Sequence, residues 1–131
     1  MLFRSREVIF RGKRTDCGEW VEGDLLHYES GEMAICKGFS KYGYEATEII
    51  GRYKVIPKTI GQFTGLTDKN GKRIFEGDIV RYEDDIGYVI YNGDDARFLV
   101  DSPNMYISMD YSNEFEVIGN IHDNPELLQK I

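Results

Sequence analysis

The chain states one motif twice, and that constrains its fold more than any other feature. Glu19-Trp20-Val21-Glu22-Gly23-Asp24-Leu25-Leu26-His27-Tyr28-Glu29 is echoed by Arg73-Ile74-Phe75-Glu76-Gly77-Asp78-Ile79-Val80-Arg81-Tyr82-Glu83. With His27 counted as basic, both runs carry apolar–apolar–Glu–Gly–Asp–apolar–apolar–basic–Tyr–Glu. Phe10-Arg11-Gly12 leads the first copy and Phe63-Thr64-Gly65 the second. Ile60-Gly61-Gln62 closes the first and Ile118-Gly119-Asn120 the second. A unit of about 55 residues buries too little surface to be robust alone. The expectation is therefore two tandem copies of a small β unit at residues 10–62 and 63–121, as two barrels or as one shared sheet. They would pack as one compact domain over residues 1–131.

Local pattern supports strands. Apolar residues alternate or come in short runs, and no helical stripe of useful length appears before the C-terminus. Aromatic residues make up 13% of the chain and favour strands, while fourteen glycines against three prolines supply tight turns. Strands are expected at residues 3–10, 19–21, 25–28, 33–36, 48–50, 53–56, 79–82, 88–91, 97–100 and 115–118. Asn70-Gly71 is the strongest hairpin signal and predicts a type I′ turn. Asn124-Pro125-Glu126 predicts the start of a short C-terminal helix, with Asn as cap and Pro in the first turn.

Glu22-Gly23-Asp24 and Glu76-Gly77-Asp78 predict sharp bends into buried strands: Gly takes φ values its neighbours resist, and Asp accepts a backbone N–H. The chemical alternative brings Glu22, Asp24, Glu76 and Asp78 together as a cation or acid–base site. A motif placed at the same point of two copies favours the scaffold role. Cys17, His27, Cys36 and His122 lack the close ligand spacing of a zinc site. The acidic turns Glu83-Asp84-Asp85 and Asp94-Asp95 lack the spacing of a calcium loop. No nucleophile–base pairing stands out, so neither catalytic residues, metal nor cofactor is expected, and the protein is expected to be non-enzymatic. Two cysteines make no disulfide framework and are expected reduced.

The net charge of −7 is unevenly spread. Residues 52–81 carry seven Lys or Arg against three acids, whereas residues 83–127 carry eleven acids and one base, Arg97. An acidic chain is a poor non-specific binder of nucleic acid. The acidic half suits a basic protein surface instead. The leading expectation is a protein-interaction module able to self-associate, with aromatic anchors Tyr42 and Tyr44 in a Gly-rich loop. The alternative is a nucleic-acid-binding module using the basic stretch, including Arg52, Lys54, Lys72 and Arg73. No signal peptide or apolar span is evident, so a cytoplasmic location without membrane contact is expected.

The string from Gly61 through Phe63-Thr64-Gly65-Leu66-Thr67-Asp68-Lys69-Asn70-Gly71 to Phe75-Glu76-Gly77-Asp78-Ile79-Val80 resembles the YopX-type proteins of phages and prophages. Phe10 to Arg14, Gly18 to Leu26 and Glu116 to Leu128 share the likeness, which covers nearly the whole chain and is weakest at residues 95–113. The resemblance implies a phage or prophage origin, a bacterial host cell and a mostly β fold. It carries over no catalytic or binding residue and no cofactor. The Gly-Asp step into alternating apolar residues is also similar, more loosely, to small SH3-like barrels, a fold that does not fix function.

Overall fold

Apolar–polar alternation becomes strand almost throughout. The computed structural model describes residues 7–37 and 51–129. Its strands are β1 (Phe10–Lys13), β2 (Trp20–His27), β3 (Met33–Cys36), β4 (Arg52–Val55), β5 (Gly61–Thr67), β6 (Arg73–Phe75), β7 (Asp78–Tyr82), β8 (Asp85–Asn92), β9 (Arg97–Asp101), β10 (Tyr106–Ser108) and β11 (Glu116–Asn120). All pairings are antiparallel. They form a six-stranded sheet, β4-β3-β2-β1-β5-β6, and a five-stranded sheet, β10-β9-β8-β7-β11. Among the described residues both sheets are open, so the protein is mainly β and the barrel form of the expected repeat is not seen. Contacts divide the chain into two compact units, Met1–Gln62 and Phe63–Ile131.

In the first unit the opening strand lies later than its apolar run implied. Val8 and Ile9 precede β1, and the alternation Phe10-Arg11-Gly12-Lys13 makes the strand. Phe10 packs on the core, and Gly12 faces Val55. β2 runs unbroken through Glu22-Gly23-Asp24, where a bend was expected. At this point it changes partner: Trp20 to Gly23 pair with β1, and Asp24 to His27 pair with β3. Val21, Ile35 and Val55 form the core, with Phe10, Leu25, Met33, Tyr53 and Ile60 packed against them. The outer edge of β4 is tied back by one isolated bridge, Arg14 to Val55, with hydrogen bonds from Thr15 N to Lys54 O at 3.0 Å and Ile56 N to Lys13 O at 2.8 Å. One bridge falls short of a closed barrel. The cysteines are both free, Cys17 exposed and Cys36 buried.

In the second unit β5 and β6 form an irregular hairpin. The register shifts between the pairs Phe63–Phe75 and Thr67–Arg73. Thr64 fills the gap: its hydroxyl donates to Ile74 O at 2.8 Å and accepts from Leu66 N at 3.2 Å. The hairpin turn is Asp68-Lys69-Asn70-Gly71, closed by Gly71 N to Asp68 O at 3.0 Å. Only Gly71 has positive φ there (79°), so the turn is not type I′. Asn70 keeps an ordinary backbone because Asp68 holds its N–H. Asp68 Oδ1 accepts from Asn70 N and Lys72 N, both at 2.9 Å, and Oδ2 accepts from Val117 N at 2.9 Å. This 5% exposed carboxylate thus ties the hairpin to β11.

The core of this unit joins Ile74, Val80, Val89, Val100, Ile107, Met109 and Phe115. Burying a side chain the size of Phe115 stabilises by roughly 1.5–3 kcal/mol, and its ring meets Tyr82 edge-on at 5.5 Å. The segment after Pro103, unassigned by pattern, supplies β10 and a 3-10 turn over Met109–Glu114. The expected C-terminal helix is a 3-10 turn over Pro125–Gln129. Five residues are too few to nucleate an α-helix. Asn124 Oδ1 also accepts from Asn120 N, behind it, at 3.2 Å instead of capping forward.

Candidate functional site

The repeated Glu-Gly-Asp motif does different work in each copy. In the second, Gly77 at φ 91° turns the chain between β6 and β7. Asp78, 2% exposed, accepts from Phe75 N through Oδ2 at 2.7 Å and braces that turn. In the first, Glu22 and Asp24 are exposed on a continuous strand. Gly23 is needed there for close approach, since a Cβ would lie 2.1 Å from the Cys36 carbonyl oxygen. Glu76 is half-buried. Among the described residues no group of three or more His, Cys, Asp or Glu is placed to hold a metal ion.

Two surfaces have the chemistry to bind something. The first is the outer face of the first unit's sheet. Cross-strand pairing places Lys13 opposite Trp20, Arg11 opposite Glu22, Asp24 opposite Cys36, and Cys36 opposite Arg52. Side chains alternate along a strand, so Arg11, Lys13, Trp20, Arg52 and Lys54 share this face with Glu22 and Asp24. The Arg11 guanidinium lies 4.8 Å from the Trp20 ring centre and the Lys13 ammonium 5.6 Å from it. These distances permit cation–π attraction. At the end of β1, Arg14 lies 4.3 Å from the Tyr53 ring and forks onto Asp16 at 3.0 and 2.7 Å. That fork raises the Arg14 pKa and lowers that of Asp16, in each case chiefly through the side-chain hydrogen bond.

The second surface is a cleft in the second unit, with a volume of about 230 Å³. Apolar Ile86, Pro103, Leu127 and Leu128 line it together with acidic Asp84 and Asp85. Asn104 completes the lining. Asp84 and Asp85 have no ion-pair partner among the described residues. The cleft is smaller than the roughly 300–1,000 Å³ usual for small-molecule and cofactor sites, and matches a single side chain better. It also lies in the more acidic unit. Residues 63–131 carry fourteen acidic against six basic side chains, a net of −8, whereas residues 1–62 carry nine against ten, a net of +1.

The family model for the YopX protein matches residues 9–129. The chain belongs to the YopX family. This YopX-family chain is also similar to a solved structure, protein EF1440 from Enterococcus faecalis, with 32% sequence identity and a TM-score of 0.69. The match covers 95% of this chain and 99% of that one. No curated protein matches the chain. Among the described residues, no helix is long and apolar enough to cross a membrane.

The binding residues expected from aromatic and basic patterning fall in both units and outside the described residues. Tyr42 and Tyr44 lie outside the described residues. Arg52 and Lys54 are exposed on β4 in the first unit, and Lys54 pairs with Glu32 at 2.9 Å. That side-chain hydrogen bond is the main reason the Lys54 pKa is raised and the Glu32 pKa lowered. Lys72 and Arg73 belong to the second unit, where the Arg73 guanidinium lies 5.4 Å from the Phe63 ring centre. The basic stretch is thus divided between the two units. Arg11, Lys13 and Trp20 were missed as a group. Their signal was the two-residue spacing of the cations, legible only once the β1–β2 register was known. The cleft had no local signal, since three distant segments build it.

Proposed function

We propose that this YopX-family chain is a non-enzymatic phage or prophage accessory protein, acting in the bacterial cytoplasm as a protein-interaction module with no cofactor. The observation that carries this reading is the charge partition, −8 on the second unit against +1 on the first. An acidic compact unit steers association toward basic protein surfaces and repels nucleic acid. Capture with the tagged full-length chain from lysate of phage-carrying cells, split into nuclease-treated and untreated halves, tests it. The expected result is a basic protein partner retained after nuclease and released by raised salt. Loss of every partner on nuclease treatment sinks this reading.

A second reading has its own observation. Arg11, Lys13, Arg52 and Lys54 outnumber Glu22 and Asp24 on the face that carries Trp20. Single-stranded nucleic acid uses such cation–aromatic surfaces. It ranks second because cations already sit against Trp20 and the whole chain is acidic. If it holds, labelled single-stranded DNA binds at low salt, and log affinity falls against log salt with a slope of about −3 for four phosphate contacts. Arg11→Ala with Lys13→Ala then halves that slope. A flat salt response removes the reading.

A further inference from the structure

We propose that the cleft between the β7–β8 turn, the β9–β10 loop and the C-terminal 3-10 turn seats one apolar side chain of a partner protein, in a segment flanked by lysine or arginine. This names the partner chemistry for the protein-interaction reading and rests on it. Three observations select the occupant. Ile86, Leu127 and Leu128 are half-buried and present apolar surface from elements far apart in sequence. The cleft they line is open to solvent, and its volume of about 230 Å³ suits a side chain and falls short of a cofactor. Asp84 and Asp85 line the same cleft without an ion-pair partner among the described residues, so a flanking cation on the guest gains a charge-assisted contact with little competition.

The surrounding charge agrees. The β7–β8 turn also carries exposed Glu83, and the unit as a whole is net −8, so an acidic guest is repelled. Asn104, exposed at the same cleft, offers both a donor and an acceptor to a guest backbone. A neutral apolar segment would fill the volume and leave the carboxylates unused. A purely basic segment would use the carboxylates and leave the apolar lining wet. Only a segment with both features uses the whole surface.

The test titrates the isotopically labelled full-length chain with three synthetic peptides: two leucines flanked by arginines, two leucines flanked by glutamates, and two serines flanked by arginines. The expected result is saturable binding of the arginine–leucine peptide, with amide shifts centred on Ile86, Asn104, Leu127 and Leu128. Affinity should be at least tenfold weaker for the other two peptides. Asp84→Lys with Asp85→Lys should abolish binding, and Leu128→Gln should weaken it tenfold. The pair of lysine changes is at exposed or half-exposed positions, and an unchanged amide spectrum elsewhere verifies the fold. Equal binding of the arginine–serine peptide, shifts centred away from the cleft, or no saturable binding overturns the proposal.

The same double variant separates this proposal from the reading beneath it. If nuclease-resistant capture persists at wild-type level with Asp84→Lys and Asp85→Lys, the interaction reading stands and the cleft is not its site. If the unaltered chain captures no nuclease-resistant partner, the interaction reading fails whatever the peptides do.

Discussion

Asp68→Ala should cost about 3–4 kcal/mol of stability, a large part of the roughly 5–15 kcal/mol typical of a domain. The carboxylate is 5% exposed and accepts from Asn70 N, Lys72 N and Val117 N. Hydrogen bonds to a charged group contribute about 1.5–3 kcal/mol each. The sum is discounted because Asn70 and Lys72 lie on an exposed turn where water can replace the lost acceptor. Val117 N lies deeper on β11 and loses its partner outright. Asp68→Asn keeps one oxygen facing the turn but turns an amide nitrogen toward Val117 N, so it should cost about 1–3 kcal/mol. Urea unfolding followed by circular dichroism gives the ranking, and faster hydrogen exchange at the Val117 amide locates it. An alanine variant within 1 kcal/mol of the unaltered chain, on the scale of one ordinary hydrogen bond, would refute the bracing role.

Asp68 also sets a pH dependence. Burial pushes its pKa up, but the donors at Val117, Lys72 and Asn70, helped by the Lys72 charge, outweigh burial and hold it below the usual value. A carboxylate lowered on folding stabilises fully above its unfolded pKa, about 3.9. That contribution drains away as pH falls through the lower folded value. The urea midpoint of the unaltered chain should therefore drop below about pH 4 more steeply than that of Asp68→Asn. Parallel curves would show that Asp68 titrates alike in folded and unfolded chains.

Gly23→Ala has the second large expected effect. The added Cβ would lie 2.1 Å from the Cys36 carbonyl oxygen, 2.9 Å from its carbonyl carbon and 3.1 Å from Ile35 Cγ2. Two of those atoms are backbone, so no rotamer change relieves the clash. β2 and β3 must part where β2 changes partners, next to the Asp24–Cys36 pair. Overpacking typically costs 1–3 kcal/mol, and a clash against backbone sits at the upper end, about 3 kcal/mol. Trp20 is the sole tryptophan and lies on the same strand, so its fluorescence reports the loss directly. Gly93→Ala is the control: nothing lies within 4 Å of its Cβ, and a change within about 0.5 kcal/mol is expected. Equal effects at the two glycines would remove the close-approach argument.

Strand character was legible because alternation is local: Met33 to Cys36 and Arg97 to Val100 lie in strands where the apolar pattern put them. Family membership was legible from the order of short strings across the chain. Errors arose where a side chain two to four residues away engages a backbone N–H that the dipeptide signature does not anticipate. Asn70-Gly71 carries the usual type I′ signature, yet Asp68 engages the Asn70 N–H and a different turn results. Asn124-Pro125 carries a helix-start signature, yet Asn124 is recruited by Asn120.

The Glu-Gly-Asp motif shows the division most clearly. Read along the chain, both copies ask for a glycine with acids on either side and a strand following. Which acid is buried, and what each glycine is for, depends on the strand packed against it. Asp78 meets the Phe75 N–H and is buried, while Asp24 meets water; Gly77 turns the chain, while Gly23 admits the Cys36 carbonyl. Backbone preference and alternation act over a few residues and are written in the sequence. Register, partner switching and the meeting of Asp84 and Asp85 with Leu127 and Leu128 arise from pairing across tens of residues. Only the tertiary structure decides those, because many registers satisfy the same local pattern and the core selects one.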